Sequence, residues 1–171
     1  ENYRQLFSPD TELGRWLATR NTMLRIGRNL FVHAGLSARL LERDLEMDTL
    51  NARMSEGLYR TSKERREDPT LEFLYRSAGP VWYRGMVCTD EKYDPLTPEQ
   101  TDALLRRYDA DRLLVGHTIF PDISTFHDGR VIAVNVQNER NRRKNRGRAV
   151  LIEGSRISVV GNRGVKRVLE E

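Results

Sequence analysis

The sequence predicts a mixed α/β fold, a mixed β-sheet flanked by helices, and three observations carry that prediction. Met47, Leu50, Met54 and Leu58 recur at helical spacing, so the middle of the chain presents an amphipathic stripe. Leu113-Leu114-Val115 is a short, wholly apolar run of the kind found in strands buried on both faces. Three further strand-length runs, Val131–Val136, Ala149–Glu153 and Ile157–Val160, follow it, with Asp128-Gly129 and Gly154-Ser155 where hairpin turns belong. Helix and strand alternate first and strand dominates later, which points to a sheet with helices on one side.

Taken in order, the elements have local causes. Ser8-Pro9-Asp10-Thr11 places a capping residue before a proline and predicts a helix start, and Leu13, Trp16 and Leu17 give that helix one apolar face. Met23–Ile26 and Leu30–Val32 flank Gly27-Arg28-Asn29 and read as a hairpin. The stripe beginning at Met47 runs into the charged stretch Lys63–Asp68 and stops at Pro69, and a shorter helix is expected from Thr70 to Arg76, before Gly79-Pro80. Thr97-Pro98-Glu99-Gln100 is the clearest helix start. Threonine at N-cap, proline at N1 and glutamine at N3 form a capping box that satisfies otherwise orphaned amides, with Ala103, Leu104 and Tyr108 on the buried face.

Length and composition bound the function. A chain of 171 residues suits a single domain that can bury about 70% of its unfolded surface without staples. No apolar run approaches the roughly 20 residues of a membrane-spanning helix. The one cysteine, Cys88, can form neither an internal disulfide nor a cysteine zinc cage, and it leaves the redox compartment undecided. The pI near 9.5 invites a nucleic-acid reading, yet the net charge is only +4. Much of the excess lies in Arg140–Arg148, where six of nine residues are basic. That stretch has no aromatics for stacking bases and sits between strand-like runs, so residues 137–148 read as a basic hairpin loop and nucleic acid is not the favoured partner. The alternative is a non-enzymatic module that binds nucleic acid or an acidic partner through this loop.

The chemistry-bearing candidates are few. Of three histidines, His33 follows Leu30-Phe31-Val32 and His117 follows Val115-Gly116, so both stand at carboxyl ends of apolar strands, where α/β folds place ligands. A neutral imidazole held there is a good metal donor; the competing reading is a pair of satisfied core histidines. His127, in Phe126-His127-Asp128-Gly129, is expected in an exposed turn without a role. Pro80-Val81-Trp82-Tyr83-Arg84-Gly85 joins two rigid aromatics to an arginine. Its guanidinium fork matches phosphate oxygens, and the adjacent glycine leaves room for a substrate; the alternative is a surface arginine stacked on an aromatic ring.

Five motifs then occur in a telling order: Leu13-Gly14-Arg15-Trp16-Leu17, Leu30–Leu36 with His33 and Ala34-Gly35, Pro80–Gly85, Val115-Gly116-His117-Thr118, and Gly129–Val134. Together they resemble the C-terminal half of a calcineurin-like metallophosphoesterase of the bacterial phosphoprotein-phosphatase type, similar to the Shewanella-like phosphatases. The resemblance covers about Phe7 to Val136. It implies half of a four-layer sandwich, with residues 1–171 as one partial domain and residues 37–78 as a helical cap or insertion. It implies two divalent metal ions, Mn²⁺ first with Fe or Zn as alternatives, with His33 and His117 as ligands. Arg84, with Tyr83, would grip the phosphate of a phosphoprotein or small phosphoester, and water activated between the metals would attack in line. Ala34 replaces the family's usual glycine, and Asn135 stands where an aspartate is frequent. The family's G-D-x-H-G, G-D-x-x-D-R-G and G-N-H-E motifs are not found in these residues, so the resemblance implies that the carboxylate ligands and the leaving-group acid belong to an N-terminal half outside them.

Overall fold

The computed structural model describes residues 3–170. After two short helices, α1 (Tyr3–Leu6) and α2 (Glu12–Ala18), come strands β1 (Met23–Ile26) and β2 (Asn29–Val32) and helices α3 (Arg39–Arg43), α4 (Met47–Gly57), α5 (Ser62–Arg66) and α6 (Pro69–Tyr75). Helix α7 (Pro98–Arg107) leads into β3 (Arg112–Val115), β4 (Ser124–Phe126) and β5 (Val131–Ala133). Helix α8 (Asn138–Arg143) precedes β6 (Arg148–Glu153), β7 (Arg156–Gly161) and β8 (Lys166–Glu170).

The strands form two sheets, a five-stranded one in the order β1-β2-β3-β5-β4 and a three-stranded one in the order β6-β7-β8. In the first, β3 runs parallel to both β2 and β5, while β1 and β4 close the edges antiparallel. The parallel centre has the expected consequence that both faces must be covered. Leu30, Val32, Leu113, Val115 and Val131 face the helices and pack with Leu36, Leu40, Leu50, Met54, Phe73, Leu74, Leu104 and Tyr108. On the opposite face, Leu114 and Ile132 pack with Ile157 and Val159 of the second sheet and with Ile123 and Val136. The helices of residues 39–75 thus share one apolar cluster with the sheet.

The second sheet covers only part of that opposite face. At the β1 edge Leu24 and Ile26 are 44% and 59% exposed, and an open groove of about 580 Å³ runs past Leu24, Phe31, Leu114, Val134 and Val150 to His33. Apolar area left open on a partly parallel sheet is uncommon, because such sheets are stabilised by burial on both sides.

The clearest capping signal is matched by the structure. Thr97 accepts from the Gln100 amide and Gln100 accepts from the Thr97 amide, the reciprocal box expected at α7. A second box joins Thr61 and Glu64 at α5. Three expectations need correction. Helix α2 is capped by Thr11, not Ser8; the Thr11 hydroxyl accepts from Gly14 N at 3.0 Å, and Pro9 lies in the preceding turn. Its Leu13 and Trp16 are 47% and 53% exposed. The helix docks instead through Gly14, where a Cβ would stand 1.8 Å from the Ser8 carbonyl oxygen, and Tyr59 donates to the Gly14 carbonyl at 2.6 Å.

The third correction concerns the basic stretch. Residues 137–148 are not a hairpin loop, because β5 and β6 belong to different sheets and the stretch contains α8, a connection between them. The physical reason is edge occupancy. β5 is already paired on both sides, to β3 and β4, so it offers β6 no edge. Val131–Val136 is correspondingly shorter as a strand than its apolar pattern suggests, ending at Ala133.

Two buried tyrosines give the fold an alkaline limit. Tyr108 donates to the Leu45 carbonyl at 3.0 Å, and burial pushes its phenol up to about 12; burial raises Tyr83 as well. An unfolded tyrosine ionises near 10, so above that pH the unfolded state has lost protons that the native state keeps. Stability is therefore expected to be full below pH ~10 and to fall as pH rises toward the native phenol values. Chemical denaturation between pH 8 and 11.5 checks this, and Tyr108→Phe should flatten the decline.

Candidate active site

The carboxyl ends of β2 and β3 are adjacent because the two strands pair in parallel with Val32 opposite Val115. That register alone brings together two histidines 84 residues apart. His33 Nε2 lies 3.2 Å from His117 Nδ1, with the rings edge-on at 5.0 Å between centroids. Backbone bonds lock the two loops: Gly116 N donates to the His33 carbonyl at 2.9 Å, and Ala34 N donates to the Pro80 carbonyl at 2.9 Å. The second bond ties the Trp82–Arg84 segment to the same strand end.

His117 itself has φ of +57°, a left-handed conformation that costs a non-glycine residue on the order of 1 kcal/mol or more. Asn135 helps hold it there by donating from Nδ2 to the His117 carbonyl at 3.2 Å. The buried His117 Nε2 has no hydrogen-bond partner among the described residues. Burial first, then the positive charge of Arg84 and then His33, lower the imidazole pKa. All three favour the neutral ring, the form whose lone pair can bind a cation.

Arg84 completes the cluster. Its Nη1 donates to Thr118 Oγ1 at 3.0 Å, so the residue after His117 aims the guanidinium, and no described carboxylate neutralises it. Trp82, 56% exposed, meets the His117 ring edge-on at 5.6 Å. The sequence assigns no role to Thr118 or Asn135: the first only closes the Val115-Gly116-His117 motif, and the second only marks a position where the resembled family frequently has aspartate. Tyr83, expected to touch substrate, is only 2% exposed and donates its hydroxyl to the Asp94 carbonyl. That contact holds the Arg84 loop from below. Gly85 is explained the same way: a Cβ there would meet the Tyr83 hydroxyl at 2.2 Å and the Asp94 carbonyl at 2.5 Å, so the space it leaves is filled by protein rather than substrate. His127 is not an exposed turn residue either. It is half-buried, with Nε2 3.1 Å from the Met86 carbonyl and Nδ1 3.3 Å from Thr101 Oγ1, a structural histidine away from the pair.

The donor set fits one edge of a metal centre. With metal–nitrogen bonds of about 2.1 Å, two nitrogens on one ion stand about 3.0–3.4 Å apart, which brackets the observed 3.2 Å. Among the described residues no group of three or more histidine, cysteine or acidic side chains gathers, so the chain offers two nitrogen donors and not a full coordination shell. Hard divalent cations prefer oxygen, and carboxylates would have to join the pair.

No family model matches this sequence, and no curated protein matches it either. Solved structures do. The chain is similar to a cold-active protein tyrosine phosphatase, at 29% identity over 99% of this chain and 48% of that one, with a TM-score of 0.87. A structure of the cold-active protein-tyrosine phosphatase of a psychrophilic Shewanella species matches at 28% identity over 99% of this chain and 49% of that one, again with a TM-score of 0.87. The chain thus spans about half the length of these phosphatases. Their likeness extends over both sheets and all the helices, so a mixed α/β architecture with a sheet flanked by helices is common to this chain and to phosphatases of known structure.

Proposed function

We propose that this chain supplies the histidine and arginine side of the active site of a metal-dependent phosphomonoesterase of the calcineurin-like type. The observation that carries the reading is the His33–His117 nitrogen pair at 3.2 Å beside an uncompensated Arg84. The five ordered motifs and the similarity to phosphatases support it.

In this reading His33, through Nε2, and His117, through Nδ1, would hold a divalent ion, each as the neutral ring. Two such ions, Mn²⁺ by preference, would supply Lewis acidity toward the phosphoryl group and a more acidic water. Carboxylate donors and the leaving-group acid come from the segment equivalent to the half of the solved phosphatases that this chain does not cover. The open apolar face at β1 and the groove beside His33 offer such a segment a surface that it would cover. Arg84, aimed by Thr118, binds two phosphate oxygens and stabilises the charge that moves onto them in the transition state. Trp82 walls the site and keeps His117 from water.

The test uses the protein carrying this chain together with that remaining half, assayed on an aryl phosphate and a phosphotyrosine peptide. Phosphate release should require added Mn²⁺ and be lost on chelation, while Cys88→Ser leaves it unchanged. Full turnover after exhaustive chelation, paired with loss in Cys88→Ser, would replace the metal reading with thiol chemistry.

A further inference from the structure

Next to Arg84 lies a cavity of about 610 Å³ that shares no lining residue with the groove. Arg39, Trp82, Arg84, Lys92, Tyr93 and Asp94 contribute to its lining. Its charges are not equivalent. Lys92 is bound to Asp90 at 2.9 Å and stacked on Tyr93, so its charge is largely compensated. Arg39 is exposed and makes no ion pair with any described residue; its guanidinium lies 5.5 Å from the Phe73 ring centroid. Arg84 and Trp82 are shared between this cavity and the histidine pair, Trp82 through its edge contact with His117. The rest of an ester whose phosphate is gripped by Arg84 can thus enter a cavity that Trp82 and Arg39 also line.

We propose that this cavity is a specificity subsite that binds a carboxylate on a peptide flanking the scissile phosphate, with Arg39 as its receptor. The inference rests on the phosphatase reading above and adds the substrate class. The volume is several times what a phosphate group alone occupies, and Trp82 and Tyr93 offer faces to neighbouring side chains. A single planar guanidinium suits one bidentate carboxylate. Asp94 also lines the cavity, and its repulsion of a dianion would be twice that of a single carboxylate. Arg39 is itself exposed and only caps the buried Phe73 ring, over which Arg43 also lies at 4.2 Å, so unchanged denaturant unfolding of each Arg39 variant is the check that the core is intact.

The experiment compares three phosphotyrosine peptides differing at one flanking position, Glu, Gln or Lys, on the complete protein and on Arg39→Gln, Arg39→Glu and Arg39→Lys. Wild type should show a KM for the Glu peptide several-fold below that for the Gln peptide, with kcat unchanged. Arg39→Gln should erase the difference, Arg39→Glu should turn the preference toward Lys, and Arg39→Lys should keep it in weakened form. The KM for a small aryl phosphate should not move in any variant. Peptide binding is read in parallel by the fluorescence anisotropy of dye-labelled peptides. An inactive protein that still prefers the Glu peptide in binding overturns the catalytic reading and supports the subsite. Equal affinity for the three peptides, or a Glu preference that survives Arg39→Gln, overturns the subsite whether or not the protein is active.

Discussion

Alanine at His33 or His117 is expected to weaken Mn²⁺ binding and phosphate release by more than about a hundredfold. Partners that only orient metal ligands are worth roughly 10–100-fold, and a donor to the ion itself is worth at least as much. The two ring nitrogens stand 3.2 Å apart, so removing one ring also takes away a positioning contact of the other. The measurement that separates a ligand pair from two structural histidines is metal affinity, by calorimetry or Mn²⁺ paramagnetic resonance, alongside denaturant unfolding. A structural pair predicts lost stability with unchanged metal affinity. A ligand pair predicts the reverse for His33, which is exposed and carries little of the core. Asn135→Ala, which frees the strained His117 backbone, should act in the same direction and more weakly.

Arg84→Ala should lower kcat/KM by about 10²–10³, the range found when one preorganised donor to developing negative charge is removed. Arg84→Lys should recover only part of that loss, because an ammonium keeps the charge but not the planar fork that meets two oxygens at once. Thr118→Ala offers an internal control. It removes the hydrogen bond that aims the guanidinium without touching charge, so it should raise KM for phosphate esters more than it affects metal binding. Arg84→Ala with undiminished kcat/KM on an aryl phosphate would remove this residue from the site.

These expectations were reached by signals of unequal range. Thr97 and Gln100 announce a helix start within four residues, and the chain obeys. The apolar run Leu113–Val115 announces a buried strand, and His33 and His117 could be placed at strand ends from their immediate neighbours. By contrast, Leu13 and Trp16 look like a buried face and are exposed, because the contact that decides the orientation of α2 is made by Gly14 against Ser8 and Tyr59. Tyr83 looks like a site residue from its place beside Arg84. Alternation along an irregular loop cannot tell which of two neighbours turns inward, and the Asp94 carbonyl, eleven residues away, decides it.

The sequence by itself therefore determined the mixed α/β class, the capping box at α7 and the strand ends that carry histidine. Those properties depend on neighbours within a turn or a strand, where capping, periodicity and backbone preference act. Only the tertiary structure decided that β2 and β3 pair with Val32 opposite Val115, and hence that His33 and His117 meet. It also decided that β5 has no free edge for β6, so that the basic run became a connection between sheets. Register and edge occupancy are settled by hydrogen bonding between segments far apart in the chain, and no local pattern encodes the partner.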